Sequence, residues 1–127
     1  MSTIFSKILS GEIPAFKILE DDQFLSFLDV RPVKRGHALV IPKKEIDYIF
    51  DLEDDLLSEM MVFSKKVARI LKQKIECKKV GVMVAGLEVP HAHVHLIPFD
   101  EISDLTFANA KSCSQEELKK IHEEIVG

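Results

Sequence analysis

Basic charge is scarce in this chain. Its 127 residues carry 17 lysines and arginines against 21 aspartates and glutamates, a formal net charge of -4. Proteins that hold polymeric DNA or RNA use a basic surface to displace phosphate counterions, so that class of partner is not expected, whereas a single nucleotide remains compatible. Long apolar runs are missing as well, and no stretch approaches the roughly 20 residues of a membrane-spanning helix, so no membrane partner is expected. Met1 to Lys7 lacks the basic start and apolar stretch of a secretory leader, which makes the cytoplasm the expected compartment. Cysteine is limited to Cys77 and Cys113, far apart and without paired spacing. That excludes a disulfide framework and a paired-cysteine metal site. There is no internal repeat, low-complexity tract or Gly/Pro/Ser-rich linker. With 46% hydrophobic and 30% charged residues, residues 1–127 read as one domain with a real core.

What is present is a mixture of strand and helix patterns. Thr3 to Leu9 reads as a short helical turn stopped by Gly11. Lys17-Ile18-Leu19 and Phe24 to Leu28 read as strands separated by Glu20-Asp21-Asp22, and His37 to Ile41 as a strand between Gly36 and Pro42. Leu56, Met60, Phe63, Val67 and Ile70 recur at helical spacing and predict a long helix from about Asp54 to Ile75. Asp51 to Asp55 at its start and Lys72 and Lys74 near its end complement the helix dipole. Val80 to Ala85 and His91 to Ile97 predict two more strands around Gly86. Ser114, followed by Glu117, opens a closing helix with a capping-box pattern. The expected fold class is α+β: an antiparallel sheet of about five strands with one long and one C-terminal helix.

Three of the five histidines fall in one stretch, His91-Ala92-His93-Val94-His95-Leu96-Ile97. Alternation along a strand sets His91, His93 and His95 on one face and Ala92, Val94 and Leu96 on the other, core-facing side. One such histidine would be an ordinary polar-face residue; three in strict alternation are not. Two chemistries suit them. A metal site is one, although His91 and His95 stand roughly 13 Å apart by backbone rise and His37 or an acidic residue would have to complete it. Nucleophilic catalysis at phosphorus is the other, because an imidazole with a reference pKa of about 6.5 is largely neutral near pH 7 and its neighbours can orient it and stabilise phosphoryl oxygens. His122 on the closing helix reads as solvent-facing, Cys77 and Cys113 as structural, and Lys43-Lys44 as a solvated strand end.

The run His-x-His-x-His followed by two apolar residues resembles the signature of the histidine-triad family, and His91 to Ile97 matches it throughout. Ile4-Phe5-Ser6-Lys7-Ile8, Gly11-Glu12-Ile13-Pro14-Ala15, Phe27-Leu28-Asp29-Val30 and Gly36 to Lys44 resemble further blocks of its nucleotide-binding branch, in order. The resemblance implies a hydrolase that attacks the α-phosphorus of an AMP-type substrate, a phosphoramidate or a phosphoanhydride, through a covalent nucleotidyl-histidine. His93 would be the nucleophile, with the His91 carbonyl orienting its ring. His95 would contact phosphate oxygens and aid the leaving group, and His37 would hydrogen-bond to His91. Asp29 would hold the ribose hydroxyls, with Ile4, Phe5, Ile8, Phe27 and Val30 around the purine and Glu88 and Val89 beside the nucleotide. The resemblance also implies a homodimer and no cofactor. Some members bind zinc through N-terminal cysteines in a CxxC, where this chain has Thr3 and Ser6, so that structural zinc is not expected. It departs from the family before the triad: Ala85 replaces an asparagine, and Glu88 stands where a small hydroxyl touches phosphate. Glu88 is therefore expected to favour a cationic leaving group. A dinucleoside polyphosphate hydrolase, a non-catalytic purine nucleotide-binding module and a metal-binding protein are the competing readings.

Overall fold

The computed structural model describes residues 3–127, so Met1 and Ser2 of the segment read for a leader lie outside the described residues. Helix α1 (Ile4–Ser10) starts in a reciprocal cap: Thr3 Oγ1 accepts the Ser6 N–H at 3.1 Å and Ser6 Oγ accepts the Thr3 N–H at 2.6 Å. Gly11, at φ 86°, ends the helix in the left-handed region that glycine enters without steric cost.

Five strands follow: β1 (Lys17–Glu20), β2 (Phe24–Leu28), β3 (Ala38–Pro42), β4 (Lys79–Met83) and β5 (Val94–Phe99). They form one antiparallel sheet in the order β1-β2-β3-β5-β4. Helix α2 (Asp54–Lys74) connects β3 to β4, and α3 (Gln115–Val126) closes the chain. This is the α+β arrangement the sequence predicts. No described helix is long and apolar enough to cross a membrane.

Strand alternation divides the apolar residues between two faces of the sheet. Phe24, Leu28, Ala38, Val40, Val94 and Leu96 pack with Met60, Phe63, Val67 and Leu71 of α2 and Leu118, Ile121 and Ile125 of α3. Leu25, Phe27, Leu39 and Ile41 point the other way, where Phe5 and Ile8 of α1 meet them. The long α2 buries the stripe read from its sequence, and Leu56 and Ile70 pack against its margins. The second face is only partly covered, because α1 is seven residues long. That partly covered face carries the histidines.

The fifth strand begins later than expected. Its ladder with β3 pairs Ala38 with Leu96, Leu39 with His95 and Val40 with Val94, then stops. Continuing the register would set Ala92 opposite Pro42, which has no N–H to donate. The chain therefore leaves the ladder: the His91 N–H bonds the Val89 carbonyl at 2.8 Å and the Ala92 N–H the Ile46 carbonyl at 2.6 Å. Only His95 of the triad lies on the strand. His91 and His93 precede it in an extended segment whose alternation still buries Ala92 with the α2 core.

Two smaller expectations are also corrected. His122 is half-buried rather than solvent-facing: its Nε2 lies 2.6 Å from the Lys17 carbonyl and its ring 5.4 Å from Phe16, which docks α3 on β1. The α3 cap is one-sided, since Ser114 Oγ accepts the Glu117 N–H at 3.1 Å while the Glu117 carboxylate faces Arg35 at 4.0 Å.

Candidate active site

Four histidines converge on the partly covered face, all buried: His37, His91, His93 and His95. Their hydrogen-bond partners assign every tautomer. The Val33 N–H can only donate, so His37 Nδ1, 3.0 Å away, accepts and the ring proton sits on Nε2. His37 Nε2 lies 2.9 Å from His95 Nδ1 and donates to it, which puts the His95 proton on Nε2. His93 Nδ1 is 2.7 Å from the His91 carbonyl, which can only accept, so its Nε2 keeps the lone pair. His91 Nε2 donates to the Pro42 carbonyl at 2.8 Å, leaving its Nδ1 as a bare lone pair buried without a partner. The carbonyl that Pro42 offers the ring is at the position where the β3–β5 ladder fails.

This network corrects one expectation: His37 bonds His95, not His91. The reason lies in register. His37 immediately precedes β3, and Leu39 pairs with His95, so His37 and His95 emerge on the same face near one another. His91 lies beyond the end of the ladder, beside Pro42. Burial pushes the His37 pKa down to about 4. Burial, followed by the neighbouring His37 and His93, pushes His95 down to about 3. Both rings are therefore neutral near pH 7, as the donor–acceptor chain requires.

The open nitrogens are the chemically useful ones. His93 Nε2 is a lone pair and His95 Nε2 a donor, and among the described residues neither has a hydrogen-bond partner. Both rings line a cavity. The two rings stand 4.9 Å apart between centroids. Two cavities adjoin His93. One of about 340 Å³ is bounded by Asp47, Tyr48, Phe50, Val84 and Leu87, and one of about 140 Å³ by Leu87, Glu88, His95 and Phe107.

A third cavity, of about 110 Å³, opens between α1 and β2. Ile4, Phe5, Ile8, Phe27, Asp29 and Val30 all line it. Phe5 and Phe27 are buried and meet edge to face at 5.7 Å, while Ile4 and Val30 form an exposed rim. The Phe5 ring also lies 5.0 Å from His93, so one aromatic side chain joins this cavity to the imidazole cluster. Asp29 stands at the same junction: Oδ1 accepts the Arg31 N–H at 2.8 Å, and Oδ2 is 3.5 Å from His37 Nε2. Burial raises its pKa. Glu88 lines the cavity in front of His95, whereas Val89 packs half-buried against the Phe5 cluster and is not among the residues lining these three cavities. Tyr48, Phe50, Leu87, Phe107 and Gln115, which also line the cavities, have no periodic or motif signal that sequence reading could use.

Asp29, His37 and His95 present ligand-type atoms within 4.8 Å of one another, which makes a metal site worth testing. A metal-bound imidazole normally donates its second N–H to an acceptor. His37 does the reverse: its second nitrogen accepts from Val33, so Nε2 carries the proton and has no lone pair to offer. The donor set does not fit an ion. Thr3 and Ser6 are committed to the cap of α1 and offer no N-terminal zinc site either.

Comparison with known proteins agrees with this architecture. A model described as the HIT domain matches residues 10–102, and the chain belongs to that family, whose triad is His91, His93 and His95. It is 36% identical over 126 residues to the adenosine 5'-monophosphoramidase HNT1 of Saccharomyces cerevisiae, covering 97% of this chain and 80% of that protein. A Hit-like protein of Bartonella henselae superposes with a TM-score of 0.86 at 29% identity, covering 98% of this chain and 93% of the other. A zinc-bound histidine-triad protein of Mycobacterium smegmatis gives 0.81 at 28% identity, over 98% and 94% of the two chains.

Proposed function

We propose that this protein is a homodimeric purine nucleoside phosphoramidase, cleaving the P–N bond of AMP amides through a covalent adenylyl-histidine. The observation that carries the reading is the set of tautomers: His93 Nδ1 is tied to the His91 carbonyl at 2.7 Å, leaving the Nε2 lone pair free. A nucleophile needs that lone pair, and the neighbouring His95 Nε2–H supplies a neutral donor to the phosphoryl oxygens. The purine occupies the Phe5–Phe27 cavity and Asp29 takes the ribose hydroxyls. The α-phosphate then lies at the Phe5–His93 junction. Attack by His93 forms a phosphorus–nitrogen bond as the bond to the amine breaks, the amine departs with a proton taken from solvent, and water then cleaves the phosphorus–His93 bond, releasing AMP and returning a proton. His91 acts through its carbonyl, and His37 through the His95 tautomer.

Charge on the leaving-group side favours amines over polyphosphates. The two cavities beside His93 have Asp47 and Glu88 in their walls, and among the described residues no lysine or arginine lines either. A departing polyphosphate would face carboxylates, whereas an ammonium would be attracted. Incubation with adenosine 5'-phosphoramidate should release AMP, and rapid quenching should show one adenylyl group on the intact protein. Diadenosine polyphosphates should be poorer substrates. If AMP binds but neither an adduct nor turnover appears with any of these, the non-catalytic binding reading replaces this one.

The homodimer reading rests on β4, an edge strand paired only with β5. Val82 on that strand and Val84 just beyond it are 49% and 43% exposed. An unprotected apolar edge is a template for pairing, and a second copy would continue the sheet. Light scattering should give twice the chain mass, and Val82→Lys should lower it. A wild-type monomer at micromolar concentration would remove the dimer.

A further inference from the structure

The segment from Ile102 to Cys113 connects β5 to α3 and brings Phe107 to the wall of a cavity beside His93 and His95. It holds two single 3-10 turns, Ile102–Asp104 and Phe107–Asn109. Several contacts fasten it. Asp104 Oδ2 accepts the Asp100 and Glu101 N–H groups at 3.0 and 3.1 Å and lies 3.7 Å from Lys34 Nζ. Thr106 Oγ1 caps the second turn by accepting the Ala108 N–H at 3.2 Å. The Lys111 and Cys113 N–H groups bond the Pro32 and Val30 carbonyls, each at 3.3 Å. Leu105 sits directly over Gly81 of β4, where an added Cβ would come within 3.1 Å of its methyl.

The fastened strap delivers one aromatic ring to the chemistry. Phe107 stands 4.7 Å from the His95 ring between centroids, tilted by 60°, on the wall of the cavity that holds His93, His95 and Glu88. We propose that Phe107 is a positioning residue that acts through His95: its ring closes the open flank of the imidazole, excludes water from it, and holds the Nε2–H toward the phosphoryl site. The proposal rests on the phosphoramidase reading for its catalytic consequence but not for its effect on His95.

Two features make the ring more than a packing contact. Among the described residues His95 has one side-chain hydrogen bond, from Nδ1 to His37, with the His93 ring 4.9 Å away edge to face. Without a wall opposite, the imidazole could tilt about that single hydrogen bond. Phe107 is itself about one-third exposed. It is therefore a cover over His95 rather than a piece of the main core, and removing it opens a path for water without hollowing the sheet–helix interface. Burial is the largest cause of the low His95 pKa, so hydration should raise it. The charged and titratable groups around His95 are His37 before β3, Asp29 after β2, His93 in the triad and Glu88 in the preceding loop. Entering water would solvate the imidazolium, and Asp29 Oδ2, 4.0 Å from Nδ1, places a carboxylate beside it.

The test is the titration of His95 by NMR on histidine-labelled protein, with kcat and KM for adenosine 5'-phosphoramidate measured over the same pH range. In Phe107→Ala the His95 midpoint should rise by about one pH unit or more, a tenfold gain in proton affinity. Turnover (kcat) should fall because the Nε2–H is no longer held on the phosphoryl site, while KM for the nucleotide changes little because Phe107 does not line the purine cavity. Phe107→Tyr, which restores the ring, should return both values toward wild type. An unchanged His95 midpoint in a folded Phe107→Ala protein would overturn the proposal whatever the enzyme's activity. A shifted midpoint in a protein that never turns over a phosphoramidate would leave the proposal standing and remove the function it was attached to.

Discussion

Replacing His93 with alanine is expected to lower turnover of AMP amides by about 10⁴-fold or more, with AMP affinity within a few-fold of wild type. The two effects separate because the nucleophile and the purine cavity share only Phe5. His93 hangs from the His91 carbonyl on one nitrogen, and its loss does not disturb the Phe5–Phe27 edge contact that walls the cavity between α1 and β2. The adenylyl mass adduct should vanish together with turnover. Calorimetric titration with AMP checks the binding half, and quenched mass spectrometry the covalent half. A variant that keeps more than about one-tenth of wild-type turnover would assign the attack to water or another group, since a lost covalent nucleophile costs far more than tenfold. Loss of AMP affinity along with activity would mean that the variant had collapsed the pocket, and His93→Gln, which fills the space without the nucleophilic nitrogen, should then separate the two.

Much of this arrangement is legible in the sequence because it depends on local periodicity. The α2 stripe, the apolar β3 run before Pro42 and the Ser114 cap are patterns within one element, and local sterics and capping enforce them. The triad is legible for the same reason, since alternation alone separates the histidines from Ala92, Val94 and Leu96. Contacts between elements carry no such local period. The family resemblance points His37 to His91, but the partner is chosen by the β3–β5 register, which pairs Leu39 with His95. Alternation starts the strand at His91, but a proline on the neighbouring strand, 49 positions earlier along the chain than the ring it bonds, ends the ladder at Val94. Phe107 lies in a stretch of isolated single turns, where no period exists to point its side chain. His122 faces Lys17 across 105 residues, a docking contact that helical periodicity on α3 cannot distinguish from exposure.

Substituting leucine for His37 should produce two effects of different kinds. The first is thermodynamic. The Val33 N–H and His95 Nδ1 each lose a buried partner, and an unsatisfied buried polar group costs about 1–3 kcal/mol, so the variant should be less stable than wild type at pH 7 by a few kcal/mol. The wild type should nevertheless lose stability faster in acid. An unfolded histidine takes up a proton near pH 6.5, whereas burial holds His37 near 4 and His95 near 3. Between those values the unfolded chain binds more protons, so the histidine contribution is complete above about pH 6.5 and declines as pH falls toward 4. For His37 the decline amounts to about 3 kcal/mol in order of magnitude. Asp29 has the opposite sense, its pKa being raised by burial, so the net slope should be steepest on the neutral side of that window. Leucine has no proton to take up, and the pH dependence of urea unfolding should flatten even as the plateau drops.

The second effect is kinetic. Without the His37 donor, the proton on His95 is free to occupy Nδ1, and the Nε2–H that faces the phosphoryl site is held only part of the time. A neutral imidazole in the wrong tautomer cannot donate there, so kcat should fall by about 10²-fold while KM changes little. His37→Gln, whose side-chain amide can donate toward His95 Nδ1, should recover part of kcat but not the acid sensitivity. Equal pH slopes for wild type and His37→Leu would show that this ring does not govern acid unfolding. An unchanged kcat in the leucine variant would show that His95 keeps its proton on Nε2 without help, and that the chain from Val33 through His37 to His95 serves the fold alone.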